Sequence, residues 1–232
     1  MKSINSMRLK LLLVVFVILL FWQSSKLWSL YGVQPEEVRE LIEKHSVNQQ
    51  ILVNVYYEAL CPDSRNFILK QLVPTFNSIE DYIELQLIPY GKAKTRIIEN
   101  DFEFECQHGP VECEANIYHA CTVNKISDSR KQLKLIACMI KDNTHPSQDF
   151  VSCGSTLPEY ESIKSCAQST EGRRLLSKFG QVTDELEPKV SFIPTITFDN
   201  EKNNESNLIP ALKNLKHEIC KRLKDKPREC RR

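Results

Sequence analysis

At 232 residues, with 26% charged and 41% apolar, the chain has the composition of an ordinary globular protein and enough length for one well-buried domain. Its formal net charge of +1 supplies no field to attract nucleic acid, so nucleic-acid binding is set aside. The basic end, KRLKDKPRECRR, reads as a solvated tail rather than a membrane-binding surface.

Lys2, Arg8 and Lys10 precede the apolar run LLLVVFVILLFW, Leu11 to Trp22. A positive lead followed by a run well short of the ~20 residues that span a bilayer is the pattern of a secretory signal peptide, residues 1–29. An uncleaved signal anchor is the alternative, and only then would the protein be held at a membrane. The remainder, 30–232, is expected to be a single domain in the secretory lumen.

In chain order, PEEVRELIEKH carries a weak helical stripe at Val38, Leu41 and Ile42. ILVNVYY, 51–57, is rich in β-branched and aromatic residues and predicts a buried strand. After Cys61 and Pro62, the residues Ile68, Leu69, Leu72, Val73 and Phe76 share one helical face, and YIELQLIPYG then alternates as a second strand. Strand, helix, strand is a parallel βαβ unit. From about 92 to 152 strand signals are few, and five cysteines gather between Cys106 and Cys153, which predicts an inserted helical subregion bound by disulfides; QLKLIACMIK is its clearest helix. A longer helix is expected over 158–179, with Gly172 as a weak point. Then VSFIPTITFDN predicts a strand interrupted by Pro194, and LIPALKNLKHEICKRL a closing helix. The skeleton β, α, β, helical insertion, α, β with proline, α is that of an α/β protein with a thioredoxin-like fold and a disulfide-rich helical insertion.

Nine cysteines suit an oxidising compartment, and an odd number leaves at least one thiol unpaired within the chain. Cys61 stands 45 residues upstream of Cys106, so it is the expected free thiol. Four disulfides are then expected among Cys106, Cys113, Cys121, Cys138, Cys153, Cys166, Cys220 and Cys230, in one of on the order of a hundred pairings. Asn204, in Asn204-Glu205-Ser206, is a candidate glycosylation site in a polar run.

Three features carry chemistry. Pro62 suits a first helical position, which makes Cys61 the residue at the helix start, where unpaired backbone N–H groups favour an anionic, nucleophilic sulfur. Asp63 in the same turn opposes that charge; the bland alternative for Cys61 is a buried inert thiol. Pro194 within a strand calls for an edge, a bulge or a cis peptide in a tight bend. In CQHGPVECEANIYHAC, Cys106, His108, Cys113, His119 and Cys121 are all possible zinc ligands, but their spacing matches no short zinc motif and the lumenal setting favours disulfides, so no metal is assigned. Cys113, Ile117 and Cys121 share one helix face, placed to bridge to a neighbouring element.

That segment fits C-Q-H-G-x-x-E-C-x-x-N-x-x-x-x-C at Cys106, Gln107, His108, Gly109, Glu112, Cys113, Asn116 and Cys121. With these eight positions the chain resembles the gamma-interferon-inducible lysosomal thiol reductase (GILT) family, over about residues 50–223. The resemblance implies a thioredoxin-like fold, passage through the secretory pathway to a lysosomal or secreted destination, no cofactor, and reduction of protein disulfides at acidic pH. It also implies that a cis-proline loop at Pro194 lies against Cys61 and guides substrate. In vertebrates the family's activity serves antigen processing; elsewhere innate defence is the analogous role.

The family's Cys-x-x-Cys uses its second thiol to resolve the mixed disulfide made by the first. Here Ser64 takes that place. Its hydroxyl can hydrogen-bond the Cys61 sulfur but cannot exchange with it, so an external thiol or a second substrate thiol must finish the cycle. Three functions follow: a single-thiol oxidoreductase acting on disulfide-containing proteins through Cys61 and Ser64, a binding module that holds client proteins, and, more weakly, a metal-binding secreted domain.

Overall fold

The run ILVNVYY becomes the central strand of a small sheet because its side chains are buried on both faces, as its near-continuous apolar character requires. The computed structural model describes residues 3–31, 50–99, 101–199 and 205–231. They fall in two compact units, Met1–Asn48 and Gln49–Arg232.

In the first unit a helix, α1, runs over Ser3–Tyr31. Its apolar run is exposed on every side. Twelve residues rise about 18 Å, against a hydrocarbon core of roughly 30 Å. Among the described residues, no helix is long and apolar enough to cross a membrane. The stripe at Val38, Leu41 and Ile42 and the Asn204 sequon lie outside the described residues.

In the second unit, β1 (Ile51–Tyr57) pairs in parallel with β2 (Ile83–Pro89), Val55 opposite Leu87. The crossover begins with α2 (Pro62–Phe67), widens into a π-helical turn at Ile68–Leu72, and continues as α3 (Val73–Ile79). Pro74 explains why the helix does not continue as regular α: it has no N–H to give to the preceding turn. The π turn keeps Ile68, Leu72 and Phe76 buried on one face, as their spacing predicts. On the other side of β1 lies β5 (Thr195–Phe198), antiparallel, with Val55 opposite Ile196. The sheet order is β2-β1-β5, a mixed α/β arrangement with the parallel unit and proline-led third strand of the thioredoxin-like expectation.

Between β2 and β5 the chain is mostly helical: α4 (Pro110–Lys125), α5 (Ser129–Met139), α6 (Pro146–Gly154), α7 (Tyr160–Ala167) and α8 (Thr170–Asp184). It opens, however, with a hairpin, β3 (Lys94–Ile98) and β4 (Asp101–Glu105). The alternation in DFEFE was the available signal for that hairpin. The helices share one core with the sheet, since Tyr118, Leu133, Phe150 and Ile163 belong to the same buried cluster as Val53 and Leu85.

Two predicted single helices are each two. The 158–179 helix breaks at Gln168–Ser169, where the Ser169 hydroxyl caps α8 by accepting from the Glu171 N–H, and not at Gly172. Gly172 is needed for another reason: a Cβ there would lie 2.7 Å from the Cys166 carbonyl oxygen and from Ile117 Cγ2, so α8 could not approach α4 and the end of α7. The closing helix divides into α9 (Glu205–Lys213) and α10 (Leu215–Arg222), because Asn214 caps the second by accepting from the His217 N–H.

Candidate active site

Four disulfides take eight of the nine cysteines: Cys106–Cys113, Cys121–Cys166, Cys138–Cys153 and Cys220–Cys230. The shared face of Cys113 and Cys121 does not serve one partner. Cys113 closes back on the loop before its own helix, while Cys121 reaches α7. Cys61 is the free thiol. Alkylation without reduction, read by mass spectrometry, is expected to label Cys61 alone; a label on any other cysteine would contradict this pairing.

Cys61 caps α2 in extended conformation, with Pro62 at the first helical position and the Cys61 carbonyl accepting from Arg65 N–H at 3.0 Å. Cys61 is 8% exposed. Its sulfur faces the loop before β5, 3.9 Å from the Ile193 carbonyl oxygen, and the Ile193–Pro194 bond is cis. So the fold brings Cys61 to the loop that carries Pro194, meeting Ile193 across 132 residues of chain. Beside them a groove of about 280 Å³ is lined by Asp63, Phe67, Lys70, Phe192, Pro194 and Leu212. Phe192 is 42% exposed at the groove, an apolar side chain two residues before Pro194 that the sequence did not single out.

Ser64 is fully buried, and its Oγ accepts from the Glu58 N–H at 3.3 Å. The hydroxyl therefore holds the loop that leads into Cys61, and its own proton remains available to donate.

The same loop is clamped from the helical side. Asn116 Oδ1 accepts from Ala59 N–H at 2.9 Å, and Asn143 Nδ2 donates to the Ala59 carbonyl at 3.1 Å. Asn143 also donates to His119 Nε2 at 3.2 Å, and His119 Nδ1 meets the Tyr57 hydroxyl at 3.1 Å. Nε2 acts as acceptor, so the neutral ring carries its proton on Nδ1. Complete burial holds the His119 pKa down at about 3 and raises that of Tyr57 well above its ordinary value. Asn143 sits at φ +60°, a conformation asparagine tolerates better than most side chains. Residue type marked neither Asn143 nor His119 for this task; the turn-forming KDNTHP around Asn143 was the one available cue.

The zinc donor set considered from sequence is not assembled. Cys106, Cys113 and Cys121 are in disulfides, and His119 belongs to the clamp. His108 instead meets two glutamates: its Nδ1 lies 2.6 Å from Glu112 Oε2 and 3.5 Å from Glu58 Oε2. Burial is the main cause of an upward shift in the Glu58 pKa, opposed by the Lys92 N–H and reinforced by Glu112.

The free cysteine thus caps a helix after a parallel strand and lies against the loop that carries Pro194, the arrangement expected of the thioredoxin-like class. Residues 52–170 match the family described as gamma interferon inducible lysosomal thiol reductase (GILT). The chain is 32% identical over 197 residues to a gamma-interferon-inducible lysosomal thiol reductase-like protein of Anopheles gambiae, covering 78% of this chain and 80% of the relative. It is 34% identical to GILT-like protein 1 of Drosophila melanogaster, over 78% of each chain. To the gamma-interferon-inducible lysosomal thiol reductase of Mus musculus it is 31% identical, over 77% of this chain and 75% of the relative. The chain belongs to the GILT family.

Within the family signature, Asn116 and Glu112 now have visible tasks. Asn116 holds the backbone two residues before Cys61, and Glu112 holds the CQHG loop by accepting from the His108 N–H at 3.1 Å.

Proposed function

We propose that this protein is a thiol–disulfide oxidoreductase of the lysosomal or secreted space that acts on protein disulfides through Cys61 alone. The observation that supports it most is the placement of the one free thiol: at a helix start, against the loop that carries Pro194, and beside the groove lined by Phe192 and Pro194. The Cys61 thiolate attacks one sulfur of a substrate disulfide, forming a mixed disulfide and releasing the other sulfur as a thiolate. An external thiolate then attacks Cys61 Sγ, freeing the second substrate thiol. A second external thiol regenerates Cys61 and leaves as the oxidised dimer, so two electrons pass from two thiols to one disulfide. Alternatively a different thiol of the substrate attacks the substrate sulfur of the mixed disulfide, Cys61 leaves as thiolate, and the product is a reshuffled disulfide.

In this reading Pro194 and the groove orient the substrate strand, and Ser64 positions the loop while its free proton can serve the Cys61 sulfur. Location and a role in innate defence draw support from family membership alone.

The test is reduction of an insulin-type disulfide by the parent, Cys61→Ser and Ser64→Cys under an external thiol. The parent is expected to exceed Cys61→Ser, and Ser64→Cys to exceed the parent by on the order of tenfold, since it adds a resolving thiol. If the parent only equals Cys61→Ser while Ser64→Cys turns over strongly, the enzyme reading fails. A module that holds clients is then the better description, favoured by the missing resolving thiol.

A further inference from the structure

We propose that Glu58, His108 and Glu112 form a site for one divalent transition-metal cation, with Zn²⁺ the best match to the donors. The three side chains come from separate places: the loop after β1, the CQHG loop closed by Cys106–Cys113, and the first turn of α4. One ligand atom from each lies within 4.8 Å of the others.

The carboxylates are arranged in the same way. Glu112 gives Oε1 to the His108 N–H at 3.1 Å, leaving Oε2 toward His108 Nδ1. Glu58 gives Oε1 to the Lys92 N–H at 2.8 Å, leaving Oε2 toward that nitrogen. Each carboxylate thus has one oxygen fixed by backbone and the other aimed at a common point, the outer-shell support that metal ligands need. Gly91, at φ +63°, backs Glu58 so closely that a Cβ there would sit 2.2 Å from Glu58 Cγ, so only glycine leaves room for this carboxylate.

Glu58 Oε2 points to something further. Glu58 is 1% exposed, and this oxygen is buried with no hydrogen-bond partner. His108 Nδ1 carries at most one proton, and at 2.6 Å it belongs to Glu112. Two buried carboxylates share one imidazole, whose single positive charge cannot match two negative ones, whereas a divalent cation can. One imidazole nitrogen and two carboxylate oxygens are a borderline donor set suited to Zn²⁺.

The geometry permits it with little movement. Ligands at about 2.0–2.2 Å around a tetrahedral centre stand roughly 3.3–3.5 Å apart. The Glu58 Oε2 to Nδ1 distance is already 3.5 Å, and the Glu112 pair would open from 2.6 Å. The His108 side chain, 30% exposed, leaves a path for the ion. Because Glu58 N–H also bonds Ser64 Oγ, a cation here would brace the loop that carries Cys61.

The experiment titrates the full chain carrying Cys61→Ser, so that no free thiol can bind metal, with Co²⁺ at pH 7, followed by displacement with Zn²⁺. One saturable equivalent is expected, with visible d–d bands and no thiolate charge-transfer band. His108→Ala and Glu112→Gln should each weaken it by about tenfold or more. Zn²⁺ should raise the melting temperature of the Cys61→Ser protein and not that of the same protein with His108→Ala added, whose side chain is exposed enough to replace without unfolding. Absence of saturable uptake, or uptake and melting shifts indifferent to these substitutions, overturns the proposal and leaves a proton as the occupant between the carboxylates.

Discussion

Between pH 7 and pH 5 the protein is expected to lose about 2 kcal/mol of stability through His119 alone. The ring is held neutral, with its pKa lowered to about 3 by burial, whereas the unfolded chain titrates near 6.5. The unfolded state therefore binds the extra proton first as pH falls. Stability is complete above about 6.5, declines below it, and stops declining near 3. At pH 5 the gap of about 1.5 units between solution pH and the unfolded pKa, at roughly 1.4 kcal/mol per unit, sets the loss. His119→Gln keeps a polar group facing Asn143 and Tyr57 but cannot titrate. Urea midpoints at the two pH values should show the variant losing about 2 kcal/mol less than the parent. An equal pH dependence would show that His119 is charged in the fold or exposed. The consequence reaches the site, because the partner of His119, Asn143, also holds the Ala59 carbonyl just before Cys61.

Replacing Cys121 and Cys166 together by alanine is expected to cost about 4 kcal/mol, from the chain entropy released when a 45-residue loop is opened. Both sulfurs are fully buried between α4 and α7, so lost packing adds to the entropic loss. The seven-residue loop of Cys106–Cys113 predicts a smaller loss, about 2 kcal/mol, for its double alanine variant. Denaturant midpoints check the order: if opening the short loop costs as much as opening the long one, unfolded-state entropy is not the source. Against a typical total of 5–15 kcal/mol, the larger loss would leave α4 poorly anchored, and α4 supplies Asn116, His119 and Glu112.

The parallel pair β1 and β2 was readable because both strands have short, strongly patterned apolar runs, and α2 because Pro62 marks its start. The hairpin β3–β4 was not, since Ile97 and Ile98 are exposed, Phe102 and Phe104 are only half-buried, and together they make a weak alternating signal. The breaks at Ser169 and Asn214 escaped because the apolar spacing continues across them, and a capping side chain shows itself only when the helix beneath it starts anew. At the site, Cys61 and Pro194 were found by being out of place: an unmatched cysteine and a proline in a strand. Asn143, Phe192 and Glu58 were ordinary residues in ordinary places until the fold gave them neighbours.

Local chemistry and counting were enough for the parity of the cysteines, the helix start at Pro62, the strand at 51–57 and the family signature, because each depends on residues close together in the chain or on a number. The Cys121–Cys166 pairing and the approach of Glu58 to His108 depend on contacts across tens of residues, and the turn of the Ser64 hydroxyl toward Glu58, though local in the chain, depends on where the loop between them settles. Those are fixed by packing one core from both the sheet and the helices. Ser64 shows the difference best. From the motif it is the residue that cannot resolve a disulfide; in the fold its oxygen is bound to the Glu58 N–H and sets the loop on which Cys61 stands.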